Sequence, residues 1–525
     1  MVPTNEVTTL AELPRIVCRY LESKTGLIAH DERLTYGELE RRSNAIAHCL
    51  LRDGIGHGDR VAVLARDSAA SIPLLFGTAK AKAVWAGMNF RLSADEIAGI
   101  IEDARPKMVF FDAEFAPTLQ RSLEKTGVRP NLVALSGDDE SALGIETWTR
   151  GASDAPPALS YDPGDVVVQL YTSGTTGLPK GVQLPSRSFF AVAQEMAAKN
   201  EPFLGWTSAD VSLLVVPTFY VAALWWLVRG LALGSTNVVL KAFDAGQILK
   251  AIPEHRVTKV GLVPAMLQMI LAEPGFDSAD VSSLRTIFYG GSPIAPPLLE
   301  RAMKAFGSDF VQAYGMTETG NVAICLGPEE HRNGNRDRLL SAGRPLHGVK
   351  VSIIRRDGSQ AEAGEPGEIA IHSPARMAGY WNLREATAAT LVDGWVMTGD
   401  VGYVDADGYV FVVDRKKDMI ISAGQNIYPA EIEKVVRTHP DVADVAVIGV
   451  PHDLWGEAIM AFVVPRPRTT LTRRDVVLHA RAHLADYKAP SQVEIIEQLP
   501  RNANGKVLKT KLREPFWEGR ERQVN

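Results

Sequence analysis

Apolar and polar positions in the first 160 residues follow two periods in alternation. Apolar runs at 61–64 and 108–111 read as buried strands, and the stretches around them have helical spacing. Thr35 with Glu38, and Ser93 with Glu96, fit the capping box that opens a helix. Strand and helix taking turns predict an α/β layered fold with parallel strands. The rhythm resumes further on: 248–272 predicts a helix, a strand at 259–263 and a second helix, while 284–289 and 309–312 predict strands that each feed a polar loop. Loops at strand ends are where open α/β sheets bind ligands.

The run 211–234 is apolar for more than twenty positions, yet Pro217 and Thr218 interrupt it and Arg229 lies inside it. It predicts a buried strand, a turn and a core helix, with no transmembrane span. Beyond Gly343 the pattern shortens to hairpin-like strands, VKVSIIRRDG and GEIAIHS, and a turn at Asp405–Gly408, which predict a small β subdomain. The charged run at 414–420 marks a boundary, and the chain beyond it reads as a compact α+β unit with helices at 429–438 and 472–485 and strands at 445–448 and 460–464. The expected division is an N-terminal domain at 1–414, a linking segment at 415–420 and a C-terminal domain at 421–525.

With 525 residues, 46% apolar and 22% charged, the chain can bury large cores. A net charge of −6 offers no basic excess for nucleic acid. Cys18, Cys49 and Cys325 are too scattered for a disulfide framework or a metal site. Together with an N-terminal run that lacks a signal-peptide pattern, they point to the cytoplasm.

The stretch YTSGTTGLPKGV, 171–182, holds two Ser/Thr clusters, three glycines and Lys180 directly after the apolar run 166–170. A strand entering such a loop puts backbone N–H groups and the hydroxyls of Thr172, Ser173, Thr175 and Thr176 where a polyphosphate can lie, with Gly174 and Gly177 keeping the backbone accessible. It is not the usual phosphate loop, because no hydroxyl residue follows Lys180.

That loop, together with YGGSPI (289–294), QAYGMTETG (312–320), WVMTGD (395–400), DRKKDMIISAGQNIYPAEIE (414–433) and LPRNANGKVLK (499–509), resembles the ordered motif set of the adenylate-forming superfamily. Within it the chain is most similar to bacterial fatty-acyl-CoA and aryl-CoA ligases. The resemblance implies ATP, Mg²⁺ and coenzyme A, a large multi-layer N-terminal domain with parallel sheets, and a small mobile C-terminal domain. A carboxylate attacking the α-phosphate brings negative charge to negative charge, so the site needs cations and donors. Glu318 is the expected Mg²⁺ ligand, with Thr172 beside it, and Thr317 offers a hydroxyl to the α-phosphate. Tyr314 presents a face to adenine opposite Gly290 and Gly291, with Ser292, Ala313 and Gly315 in the same motifs. By resemblance Asp400 and Arg415 take the ribose, Lys506 binds the acid carboxylate and the α-phosphate, and Lys417 is the hinge. The thiol face would carry Ser422 and Gly424, with Trp455 on the adenine of coenzyme A and Lys488 at one of its phosphates. The resemblance also admits a homodimer and a lysine acetyltransferase acting on Lys506.

One position departs from the family pattern. Tyr220 stands at the His position of the aromatic-His pair that is common in the family, and a phenol does not titrate near neutral pH as His does. The implied acyl pocket is walled by Phe219, Tyr220, Ala223, Val263 and Met316, beside the small Gly291, Ala313 and Gly315, which suits an alkyl chain or a flat ring. The expected function is an ATP-dependent acid:CoA ligase acting on medium- or long-chain fatty acids or on aryl acids. The alternatives are an adenylating enzyme that serves a carrier protein, and a non-catalytic acyl or nucleotide sensor.

Overall fold

A computed structural model describes residues 6–518 apart from 31, 137–141, 173–178, 200, 202–204, 334–336, 416–417, 423–424, 453–454, 485 and 502–506. The chain forms two compact units, Met1–Val351 with Ile371–Met397, and Ser352–Ala370 with Thr398–Asn525. This division falls elsewhere than the expected 414/421 boundary. Most residues of the short strands beyond Gly343 group with the C-terminal part, because packing density, and not a charged run in the sequence, defines a compact unit.

The first unit is built on two sheets. One has nine strands in the order Arg344–Pro345, Asn321–Leu326, Asp309–Met316, Thr286–Gly290, Lys259–Leu262, Val211–Leu214, Thr236–Val239, Thr25–Ala29 and Glu32–Thr35. Its centre is parallel, as the alternation of helix and strand predicts, and antiparallel strands close both edges. The other has eight strands, with Val84–Gly87, Arg60–Leu64 and Met108–Asp112 parallel at its centre and Val166–Thr172 pairing antiparallel with Lys180–Pro185. The predicted strand at 61–64 lies at 0–4% exposure, so burial on both faces explains its unbroken apolar run.

Both predicted capping boxes form: Thr35 and Ser93 accept from the backbone of Glu38 and Glu96, whose carboxylates reach back to the cap residues. The apolar run 211–234 resolves into the strand Val211–Leu214, a turn, and the helix Val221–Ala232. Trp226 lies in the core against Trp206 and Phe288, at ring distances of 4.5 and 5.0 Å. Among the described residues no helix is long and apolar enough to cross a membrane.

In the second unit Asp400–Val404 pairs antiparallel with Val410–Arg415 across the predicted turn, where Asp405 accepts from the backbone of Asp407 and Tyr409. A further sheet joins Val442–His452 and Gly456–Pro465, with Gln492–Ile495 parallel beside the latter. The helices Pro429–Val436 and Arg473–His483 cover one face and bury Ile432, Val436, Val476 and Ala480.

Candidate functional site

Three neighbouring parallel strands of the nine-stranded sheet end at one place. Leu262 lies level with Tyr289, Tyr289 with Gln312, and Gly290 with Ala313. The chain therefore delivers Val263, then Gly290, Gly291 and Ser292, then Ala313 to Met316, side by side at the carboxyl ends of the parallel pairing. Gly290 is obligatory there, since a Cβ would stand 2.3 Å from the Ala313 carbonyl oxygen, and Gly291 adopts φ +79°. Tyr314 to Thr317 are half-buried, as suits a face that a ligand can still reach.

The expectation of a loop over 312–320 needs correction. Gln312 to Met316 continue the strand Asp309–Met316, which turns at Thr317–Thr319 and returns as Asn321–Leu326. Gly320 makes the turn at φ +77°, and Thr319 fastens it by accepting from the Met316 backbone N–H. The turn places Glu318 inward, 5% exposed.

Burying a carboxylate is costly unless donors meet it. The Tyr380 hydroxyl donates to Glu318 Oε1 at 2.8 Å, and the Met377 N–H donates to its backbone carbonyl. Burial, followed by the Glu318 charge and this bond, pushes the Tyr380 phenol well above its ordinary pKa, so it remains a donor. Lys180 Nζ lies 4.9 Å from the centre of the Tyr380 ring. Lys180 is opposite Thr172 on the antiparallel pair, and Tyr380 is on the short strand next to it. Lys180, Thr172, Tyr380 and Glu318 are thus tied by strand pairing and by ring and hydroxyl contacts. Tyr380 was not singled out from the sequence, since its partner Glu318 is 62 positions away. A carboxylate that meets a hydroxyl suits Mg²⁺, a hard cation that keeps waters and phosphate oxygens as its other ligands. Glu318 and Thr172 are the residues that would hold it.

The strand end behind the loop is itself anchored. Tyr171 donates to Asp103 Oδ2 at 2.6 Å and accepts from Gln169 at 2.8 Å. Ser173, Gly174, Thr175, Thr176 and Gly177 lie outside the described residues.

Phe219 and Tyr220 follow the strand Val211–Leu214, their rings 4.5 Å apart. Asn89, from the loop after Val84–Gly87, donates to the Tyr220 hydroxyl at 3.4 Å, and Phe90 meets Phe219 edge-on at 5.4 Å. Neither Asn89 nor Phe90 was legible in the sequence as a neighbour of the acyl pocket. Ala223 is buried one turn into the helix, Leu224 is fully buried beside it, and Val263 is half-buried.

In the second unit Asp400 and Arg415 stand directly opposite each other on paired strands, joined by a 2.7 Å ion pair. Arg415 can therefore orient the Asp400 carboxylate. Asp400 is further held by its own backbone N–H donating to Thr398, which in turn donates to the Ile369 carbonyl. Ser422 is half-buried, opposite Gln425 on a hairpin. Trp455 is 46% exposed and stacked on His452 at 4.2 Å, a flat platform open on one face. Lys488 is bound by both Glu431 oxygens, at 2.7 and 2.8 Å, so its charge is already matched there. Lys417, Gly424 and Lys506 lie outside the described residues.

Residues 16–381 match the AMP-binding enzyme family, and residues 431–506 match the AMP-binding enzyme C-terminal domain. The chain is 40% identical to the fatty acid–[acyl-carrier-protein] ligase ScoC of Streptomyces coeruleorubidus over 99% of both chains. It is 38% identical to a feruloyl-CoA synthase of an Amycolatopsis species, covering 92% of this chain and 94% of that one. Among solved structures, o-succinylbenzoate CoA synthetase of Bacillus subtilis in complex with the acyl-adenylate intermediate superposes with a TM-score of 0.84 at 30% identity, over 95% of this chain and 97% of that one.

Proposed function

The chain belongs to the AMP-binding enzyme family, as an AMP-forming acid–thiol ligase of the acyl-CoA synthetase branch, and from that premise we propose how its residues divide the reaction. A carboxylate oxygen of the acid attacks the α-phosphorus of ATP, and the bond to pyrophosphate breaks. A thiol sulfur then attacks the acyl carbonyl, AMP leaves and a thioester remains.

For the first step Lys180 and the hydroxyls of Thr172, Ser173, Thr175 and Thr176 meet the phosphates. Tyr314 and Gly290 to Ser292 take the adenine, and Asp400 with Arg415 takes the ribose. Mg²⁺, when bound, neutralises phosphate charge. Thr317 donates to the α-phosphate, and Lys506 meets the charge that develops between acid and phosphate. The observation that carries this reading is Glu318, a buried carboxylate held by Tyr380 where three parallel strands end. Phe219, Tyr220, Ala223, Val263 and Met316 form the acid pocket, which suits a medium- or long-chain fatty acid or an aryl acid.

For the second step the C-terminal domain, from 421 onward, turns about Lys417. The two steps need different groups, Lys506 for the first and Ser422 with Gly424 for the second, and both sets lie beyond that hinge. Trp455 offers its exposed face to the adenine of coenzyme A. Acetylation of Lys506 would abolish its charge and so switch off the first step. The open Trp455 face favours coenzyme A as acceptor, whereas the likeness to a carrier-protein ligase over nearly the whole chain favours the phosphopantetheine thiol of a carrier protein.

AMP release from ATP and Mg²⁺ across a panel of fatty and aryl acids, with coenzyme A or a holo-carrier protein as acceptor, tests both readings. A preferred acid whose adenylation is lost in Lys506→Ala supports the assignment. Release that needs the carrier protein, with none on coenzyme A, moves the acceptor to the second reading. No acid-dependent AMP or pyrophosphate exchange overturns both.

A further inference from the structure

The turn that bears Phe219 and Tyr220 is fixed from outside its own strand. The Tyr220 N–H donates to the Pro217 carbonyl at 3.1 Å, which closes a four-residue turn just before the helix Val221–Ala232. Within that turn both donors of Thr218 go to one carboxylate. Its N–H donates to Asp67 Oδ2 at 2.9 Å, and its hydroxyl donates to Oδ1. Asp67 is 6% exposed and follows the strand Arg60–Leu64 of the eight-stranded sheet, whereas Thr218 follows Val211–Leu214 of the nine-stranded one. One side chain therefore fastens a loop of one sheet to a loop of the other.

The loop that offers Asp67 is itself held. The Ser68 N–H donates to the Ser71 hydroxyl at 2.8 Å, and the Ser71 N–H donates to Ser68 Oγ at 3.1 Å. The space beside the contact, lined by Asp67, Ser71, Trp85, Gly87, Thr218 and Phe219 among others, is a cavity of about 10 Å³. That is space for about one water, so the groups around the contact are closely packed.

The carboxylate is costly to keep there. Adjacent Arg66 is spent on Glu114, at 2.7 and 3.0 Å, and on the faces of Phe90 and Phe115, while Asp112 adds repulsion. Two acceptor oxygens on so short a side chain are what two converging donors require.

We propose that Asp67 is a positioning residue for acid binding: by clamping Thr218 it sets the turn that aims Phe219 and Tyr220 at the acid. The inference rests on the acid pocket assigned above. Its consequence is selective, since ATP is bound by other strand ends and loops.

Steady-state kinetics of full-length Asp67→Ala, Asp67→Asn and Thr218→Val with the preferred acid test it. Asp67→Ala raises the KM for the acid about tenfold or more and leaves the KM for ATP within about twofold of the parent, because a displaced wall costs binding of the group it faces. Asp67→Asn recovers most of the loss, its amide oxygen accepting from the Thr218 N–H and its NH₂ donating to the hydroxyl. Thr218→Val, which keeps the N–H and nearly the same volume, shows an intermediate rise. An acid KM in Asp67→Ala that stays at the parent value, or that rises in step with the ATP KM, overturns the proposal. Should Asp67→Ala fail to fold, an unchanged acid KM in Thr218→Val overturns it. An inactive parent protein overturns the pocket assignment and the proposal with it, whereas an active parent with insensitive variants overturns the proposal alone.

Discussion

At the scale of single residues, the buried carboxylates separate by what meets them. Asp67 has Thr218 but no cation among the described residues, and burial pushes its pKa up to about 6. An acid with a raised native pKa favours the neutral form on folding, so its cost is absent below the unfolded value near 4 and fully present above 6. Two pKa units correspond to about 3 kcal/mol. Asp67→Asn has no such cost, so its stability relative to the parent should improve between pH 4.5 and 7.5 by up to about that amount. Urea unfolding of both proteins at the two pH values checks this, and an identical difference at both would contradict it. Glu318 is the opposite case, buried but met by a phenol and, in the proposed reaction, by Mg²⁺. Glu318→Gln keeps the shape and an acceptor but loses the charge, so it should lower the rate of AMP formation by roughly a hundredfold or more. Calorimetry should meanwhile find the fold intact. Neither Tyr380 nor Asp67 could be singled out from the sequence, because each acts on a residue 62 or 151 positions away, and no local pattern records such a pairing.

At the scale of elements, most of the architecture was legible. Unbroken apolar runs at 61–64 and 108–111 became central strands because parallel strands are covered on both faces, and Thr35 and Ser93 announced their helices through a local hydrogen-bond pattern. The hairpin 309–326 was misread, since its glycines and hydroxyls look like loop residues. Their reason is close packing. A Cβ on Gly315 would stand 1.6 Å from the Asn321 carbonyl oxygen, and one on Gly320 would stand 2.1 Å from that of Ala375. Gly320→Ala should therefore cost about 1–3 kcal/mol for its φ of +77° alone, and more for the clash. Gly358→Ala is the control. Its φ is +85° with nothing within 4 Å, so it carries the first cost without the second. Thermal unfolding should show the larger drop for Gly320→Ala, accompanied by loss of AMP formation because Glu318 sits on that turn. Equal drops would remove the packing argument.

At the scale of the whole molecule, one chain has to serve two reactions that need different groups near the same acyl carbon. The first puts a cation on developing phosphate charge, and the second admits a thiol to the carbonyl; Lys506 and the pair Ser422 and Gly424 are the assigned suppliers. Both lie C-terminal to Lys417 in sequence. If the backbone at Lys417 must change its dihedrals between the steps, a residue that permits only one setting should separate them. Proline fixes φ near −65° and removes the N–H. Lys417→Pro should therefore keep whichever step its locked backbone favours and lose the other by roughly a hundredfold or more, a rate change of about 3 kcal/mol in barrier. Acid-dependent ATP–pyrophosphate exchange reads the first step. Thioester formation from synthetic acyl adenylate plus thiol reads the second without the first. A variant that loses both equally has been damaged in its fold, which its unfolding temperature would reveal. One that keeps both would mean that the steps share a single arrangement of the chain, and the hinge assignment would fall while the adenylation site stood.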